Sequence, residues 1–550
     1  MTGSLRQVVH AQGRALHLRR FGAGPPVVLL HESPRSSAVL EPLARVLAAD
    51  FTVLGLDTPG YGLSTALPLD RPGTGDFADA VAASLRTLGL PGPVPVYGTH
   101  TGATIAVALA ARHPDLVAGA VLDGYPVFGQ AERDNFAHLY LRPFEPAWDG
   151  GTVARLWSRV RDQYSFFPWY LPGESSRLGR TPPDPAAQTA VIRDFLQAAP
   201  HHAAYDAAFR FDGLASLEGI TRPLHVATRA DDLLFPDLDR VPERPGLTVA
   251  RLGTDRAAWA RHVASVLAGF AGREAMPPAG TDLAWSPDGA LGVDGDDLLV
   301  RAYGTGQDEA VPLLLVHDTP GGAWEWTAVA RREAARRRVI VPELPGHGLS
   351  PALTEEAEPL RTLCERLLAL LDRQGFATVE IAGRGLGAVV AHRLAREAPR
   401  RVARVVAVDP LLARGADISA MFPYREPDWH GGHLMAAWYE ARDRLLYRPW
   451  CARTAERARP IGPGLDLGEV HGRFTSIVLA DNDHLPLAHS ALEEAEAVLG
   501  PSAVPTRHVL LAGDPDTAEI AAGLAGRGAE PVVVRYEALA DAVVGVLRAR

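Results

Sequence analysis

The chain repeats itself. The run VVLLHESP at 27–34 returns as LLLVHDTP at 313–320, so His31 and Pro34 have counterparts in His317 and Pro320. LDTPGYGLS at 56–64 returns as ELPGHGLS at 343–350, and Pro59 and Pro345 keep the same interval. Further along, WDGGTVARLWSRVRDQYSFFPW is matched by WHGGHLMAAWYEARDRLLYRPW. Trp148, Trp157, Arg161, Asp162, Pro168 and Trp169 recur in register as Trp429, Trp438, Arg442, Asp443, Pro449 and Trp450. Chance does not hold one interval across that many residues, so the chain is two copies of one domain. At 550 residues it is also too long for a single ordinary core.

Short apolar runs alternate with helical segments in each copy, the pattern of a parallel sheet covered by helices. The expected strands are PPVVLL, FTVLGL, VPVY, VAGAVL, LHVAT and LTVARL in the first copy. In the second they are VPLLLV, RVIVPE, TVEIA, VARVVAV, RHVLLA and PVVVRY. Between the fourth and fifth runs lies an aromatic-rich insert longer than a simple crossover needs, expected to form a helical cap over the carboxyl edge of the sheet. The expected division is a first domain over 1–271 with its cap at 124–220, a Pro/Gly-rich linker over 272–292, and a second domain over 293–550 with its cap at 410–504. The two copies could pack as an internal pseudo-dimer.

YGTHTG, at 97–102, places a tight Gly-x-x-x-Gly turn between an apolar run and the helix-like ATIAVALAARHP. That is the layout of a nucleophile elbow, where Gly-x-Ser-x-Gly lifts a serine above a sheet. HESP, DTPGYGLS, GTHTGA and the strand-end acid in VATRADDLLFP together resemble the α/β-hydrolase superfamily, and the same landmarks recur in the second copy. The resemblance implies two tandem α/β-hydrolase domains, each a mostly parallel sheet with a cap. It implies little about the reaction, because that fold hosts many chemistries as well as inert binding proteins.

The catalytic positions depart from the family. His100 stands at the elbow instead of serine, and Asp232, with Asp231 beside it, stands where the family carries its acid. After LTVARL the family histidine is replaced by Thr254 or Asp255, and His262 falls in the final helix. An imidazole oriented by Asp232 can act as general base, or attack an acyl group as a nucleophile. The backbone N–H groups of Ser33 and Thr101 are the expected oxyanion donors. Glu32 follows His31 where many relatives have glycine, and is an accessory acid or base, an anchor for a cation, or a solvated loop carboxylate. His202, in the His201–His202 pair, is a further accessory residue. The cap aromatics Trp148, Trp157, Tyr164, Phe167 and Trp169 are the expected walls of an apolar pocket. In the second copy Gly385 occupies the elbow, Asp318 follows His317, and an acid remains at Asp516 with no histidine after the last strand. Chemistry at that elbow is not expected.

Composition narrows the partners. All 55 basic residues are arginine, which removes Schiff-base lysine chemistry and the lysine phosphate loop. A net charge of -10 without basic blocks argues against nucleic acid. Two cysteines, Cys364 and Cys451, are too few for a disulfide framework or a zinc site. No apolar run reaches the roughly 18 residues of a membrane span, so a cytoplasmic protein is expected, with no membrane partner. No motif calls for a metal or an organic cofactor. Two functions fit. One is an enzyme acting on a small, fairly apolar carbonyl substrate, by ester, lactone or thioester hydrolysis or by base-driven elimination, C–C cleavage or cyclisation. The other is a catalytically inactive double pseudo-hydrolase that binds a small molecule or scaffolds partners.

Overall fold

The computed structural model describes residues 5–549 except 141–143, 199, 243, 279, 281, 296, 306–309, 354–357, 411–416, 462–463, 501, 503, 515 and 527–529. The chain divides into two compact units. One is Met1–Glu145 with Arg155–Gly280, and the other is Pro146–Ala154 with Thr281–Arg550. A short piece of the first cap therefore groups with the second unit.

Each unit is built on an eight-stranded sheet. In the first unit β1 (Leu5–Ala11), β2 (Arg14–Phe21), β3 (Pro26–Leu30), β4 (Thr52–Leu56), β5 (Val94–Thr99), β6 (Val117–Asp123), β7 (Leu224–Arg229) and β8 (Leu247–Leu252) lie in the order β1-β2-β4-β3-β5-β6-β7-β8. Those from β4 and β3 to β8 are parallel, and β1 and β2 are antiparallel. In the second, β9 (Ala290–Asp294), β10 (Leu298–Tyr303), β11 (Leu313–Val316), β12 (Val339–Pro342), β13 (Val379–Arg384), β14 (Val402–Val408), β15 (Thr506–Leu511) and β16 (Val532–Val534) repeat that order. This is an α/β fold with two mostly parallel sheets, as two tandem α/β-hydrolase domains require. All twelve expected strands form. The hairpins β1–β2 and β9–β10 were not expected, because polar residues interrupt LRQVVHA and RALHLRRF. The signal was the Gln12-Gly13 turn, both residues at positive φ, which joins antiparallel strands in two residues.

The alternation of side chains along the central strands sets the core. Val28, Leu30, Val96 and Leu122 face the helices Thr74–Thr87 and Thr101–Arg112. Val27, Leu29, Tyr97 and Val121 face the helices Glu41–Leu47 and Arg256–Phe270. Strands covered on both sides read as continuous apolar runs, and all of β3 is buried. Burying each Val or Leu stabilises the fold by about 1.5–3 kcal/mol before entropy is counted. Between β6 and β7 the cap contributes helices Gln130–Leu139, Gly151–Asp162, Pro185–Gln197 and Ala203–Arg210.

The elbow glycines are demanded by close backbone approach. A Cβ on Gly98 would lie 2.3 Å from the Gly102 carbonyl oxygen, and one on Gly102 would lie 2.2 Å from the Leu30 carbonyl oxygen. The second unit repeats this crowding at Gly383 and Gly387. Gly102→Ala should therefore destabilise the fold by about 1–3 kcal/mol or more, read as a lower urea midpoint at unchanged slope. A midpoint equal to the wild type would show that the helix can pull away from β3 without loss.

Candidate active site

β5 ends at Thr99 and the next helix starts at Thr101, so one residue makes the turn. That residue is His100, at φ 47° and ψ −111°. Such backbone costs on the order of 1–3 kcal/mol and persists where its surroundings fix it. The His100 amide donates to the Asp123 carbonyl (2.9 Å), and its carbonyl accepts from Ala103 N (2.9 Å). Its ring Nε2 lies 3.0 Å from Asp232 Oδ2 and 3.2 Å from Oδ1. Asp232 follows β7 and is itself held by the Leu234 amide, which donates to Oδ1 (2.9 Å). The carboxylate thus fixes the hydrogen on Nε2 and leaves Nδ1, which has no hydrogen-bond partner among the described residues.

Charge tunes this pair. Burial acts to lower the His100 pKa, but the charge and hydrogen bond of Asp232, with Glu32 and Asp123 behind, outweigh it and push it up to about 9. Burial acts to raise Asp232, yet His100 and the Leu234 amide hold it at about 2. Side-chain exposures of 28% for His100 and 20% for Asp232 leave the pair reachable by a ligand. The ring also needs Gly124, at φ +58°, because a Cβ there would lie 2.3 Å from His100 Cδ2. Gly124→Ala is expected to push the imidazole off Asp232. An NMR titration would then show the His100 pKa falling from about 9 towards its ordinary value, and an unmoved titration would refute the steric argument.

The loop after β3 is fixed by buried polar contacts. His31 Nδ1 donates to the Glu32 carbonyl (2.8 Å) and Nε2 accepts from Thr58 N (3.0 Å). Asp57 accepts from His17 Nδ1 (2.8 Å), Ser37 N (2.7 Å) and Leu63 N (3.0 Å). These contacts explain why HESP and DTPGYGLS recur together. The amides of Ser33 and Thr101 donate to no acceptor among the described residues. The Glu32 carboxylate makes no hydrogen bond to His100, although its charge raises His100, Tyr97 and Tyr164.

In the second unit a carboxylate stands at the elbow. Gly385 sits at φ +55°, and a Cβ there would lie 2.2 Å from the Asp318 carboxylate. Asp318 Oδ1 accepts from both Leu386 N and Thr319 N, each at 2.8 Å. Those amides are the counterparts of Thr101 and Ser33, so in the second unit a side-chain carboxylate of the protein accepts from both. Around it Arg448 pairs with Asp409 (2.8 Å), Arg459 with Asp514 (2.7 Å), and Asp516 with Arg457 (2.8 Å).

Other sequence-selected residues are dispersed. Asp231 turns to Arg229 (2.9 Å). His202 stands just before the helix Ala203–Arg210 without a side-chain capping bond, and its ring meets His201 edge-on, 5.4 Å between ring centres. His262 meets His225 (2.8 Å). Trp148 is exposed, on the piece that groups with the second unit, and Trp157 is buried. Tyr164 is placed to feel Arg35, Glu32 and Asp194. Phe167 and Trp169 pack with Phe136, Tyr140 and Phe209 in an aromatic cluster. Sequence reading missed Asp123, whose carboxylate accepts from the Tyr97 hydroxyl (2.8 Å) and Trp259 Nε1 (2.9 Å) while burial raises it to about 6. Its repeat partner Asp409, also at a strand end, was the available signal. Among the described residues no cluster of three or more His, Cys, Asp or Glu is placed to hold a metal ion, and no helix is long and apolar enough to cross a membrane.

Parts of this chain are similar to known proteins. A 2-(acetamidomethylene)succinate hydrolase of Mesorhizobium japonicum is 36% identical over 121 residues, 21% of this chain and 41% of the relative. An (E)-2-((N-methylformamido)methylene)succinate hydrolase of Acinetobacter baylyi is 35% identical over 115 residues, 21% of this chain and 43% of the relative. The chain thus spans less than half the length of these curated relatives. Among solved structures, an epoxide hydrolase from an endophytic Streptomyces covers 49% of this chain and 96% of its own at 22% identity and a TM-score of 0.40. The alpha/beta hydrolase fold family matches residues 25–183 and 311–460, more than half of the sequence and once in each copy. The chain belongs to the α/β hydrolase fold family.

Proposed function

We propose that the first unit is the catalytic copy and acts on a small carbonyl compound, with His100 as general base or nucleophile and Asp232 as its orienting acid. The observation that carries this reading is the contrast between the two elbows. In the first unit Nε2 of His100 is held by Asp232, Nδ1 is unengaged among the described residues, and the Ser33 and Thr101 amides donate to no acceptor among them. In the second unit those two amides are taken by Asp318. A substrate carbonyl oxygen seated on the Ser33 and Thr101 amides would present its carbon to a water that His100 Nδ1 deprotonates. The proton then passes to the leaving alkoxide, thiolate or amine. The same base can run elimination, C–C cleavage or cyclisation. Relatives named as hydrolases of acylaminomethylene succinates favour hydrolysis. The second unit is read as non-catalytic.

A panel of p-nitrophenyl esters, lactones and thioesters, followed by hydrolysis at pH 9, tests the assignment. His100→Ala should lower kcat/KM by about 10²–10⁴-fold while the fold is retained. Equal turnover by the variant, or none by the wild type on any member, would sink the catalytic reading in favour of an inactive double pseudo-hydrolase.

A further inference from the structure

Arg159, in the cap helix Gly151–Asp162, is 2% exposed, and none of its three guanidinium nitrogens has a hydrogen-bond acceptor among the described residues. Five rings enclose it, with centres at 4.4 Å (Phe195), 5.3 Å (Tyr140), 5.5 Å (Trp169), 5.8 Å (Tyr205) and 5.9 Å (Phe144). Ring faces attract a cation but supply no lone pair in line with its N–H bonds. The Tyr140 hydroxyl, whose pKa burial raises, is close enough for the guanidinium to act against that rise by charge and by a side-chain contact, yet none of the Arg159 nitrogens meets it with the distance and angle of a full hydrogen bond. Trp169 Nε1 and the hydroxyl of its neighbour Tyr170 are also buried without a partner among the described residues. A buried charge is ordinarily paired, and here a buried guanidinium and two neighbouring donors have no anion among the described residues.

The repeat shows that this position need not be left open. Glu440 is the counterpart of Arg159, and it is paired inside the second unit with Arg444 Nε (2.9 Å) and with Arg425. The charge of Arg159 also reaches groups beside the loop that follows β3. It acts on Tyr61, which contacts the Ser33 hydroxyl, and on Tyr205, which also feels Tyr61 and Glu32.

We propose that Arg159 receives a carboxylate of the substrate, so that the first unit takes a carbonyl compound bearing one carboxylate on an apolar body. A carboxylate fits because it is planar and monovalent, and accepts two parallel N–H bonds from a guanidinium. A phosphate dianion would set its second charge against the ring faces. The word substrate rests on the catalytic reading above, whereas the binding does not.

Calorimetry on the full chain, with carboxylates from propionate to 4-phenylbutyrate, their primary amides and inorganic phosphate, tests this. The acids should bind the wild type about 30-fold or more tightly than their amides, and Arg159→Met should erase that preference. Because the substitution removes an unpaired buried cation, the ligand-free variant should melt at or above the wild-type temperature. A purely structural arginine would give a lower one. Equal binding of acids and amides, a preference that survives Arg159→Met, or binding of phosphate alone would overturn the proposal. If esters are hydrolysed in a His100-dependent way while acids fail to bind, the receptor falls and the catalytic reading stands. Acid binding that persists in an enzyme without turnover gives the reverse.

Discussion

Asp232→Asn is expected to lower turnover by about 10⁴-fold, the scale set when a catalytic histidine loses its orienting carboxylate. Asparagine can present its NH₂ to Nε2, which would put the hydrogen on Nδ1 and remove the base from the side facing the substrate. The pH dependence separates this from a fall in stability. With Asp232 present, His100 is protonated up to about pH 9. If it acts as the base, kcat/KM should climb about tenfold per pH unit through the neutral range and level off near 9. In Asp232→Asn the raising charge is gone and burial prevails, so the residual activity should level off at lower pH. A wild-type profile that is flat or falling between pH 6 and 9 would contradict the base role.

The same pair makes stability depend on pH, with signs that follow from the two shifts. His100 is raised in the folded state, so its contribution is fully present below the unfolded value of about 6.5 and is lost as pH rises through about 9. Asp232 is depressed, so its contribution is present above about 3.9 and is lost as pH falls towards about 2. The stabilisation from this pair is therefore greatest between about pH 4 and 6.5.

Asp57→Ala should cost about 3–5 kcal/mol, because it strips three donors of their acceptor in a site closed to water. Arg6 Nε donates to His17 Nε2 (3.3 Å), which fixes the hydrogen of that ring on Nδ1, facing Asp57 (2.8 Å). The side chains of His17 and Asp57 are 1% and 2% exposed. Burial would raise the Asp57 carboxyl, but His17 and the Ser37 amide hold it below its ordinary value. Its contribution is thus present above the unfolded pKa and lost in acid as the folded value is crossed. The variant should show a lower urea midpoint at neutral pH, and the gap from the wild type should narrow in strong acid. A loss under about 1 kcal/mol would mean that the loop finds other acceptors. Asp57 also ties residue 37 to residue 63 through their amides, so the substitution should loosen the Ser33 oxyanion loop.

Much of the fold was legible because it depends on backbone sterics and side-chain period. Gly98 and Gly102 had to be glycine at the elbow. Strands buried on both faces had to read as unbroken apolar runs, and the repeat showed these signals twice. The hairpins β1–β2 and β9–β10 were hidden, since a strand near a sheet edge carries polar residues that mimic a loop. At the candidate site, His100 and Asp232 could be named from the landmarks, yet nothing in their order fixed a 3.0 Å contact.

The sequence by itself determined the duplication, the segments that form the parallel strands and the residue on each elbow, because local spacing and close packing encode these directly. Only the tertiary structure decided how the polar groups are satisfied. It set Asp318 onto the Leu386 and Thr319 amides in the second unit and, among the described residues, left the corresponding Ser33 and Thr101 amides without acceptors in the first and enclosed Arg159 without an anion. Pairing of charges and amides depends on distances of a few ångströms between segments far apart in the chain, and no local pattern of residues carries that information.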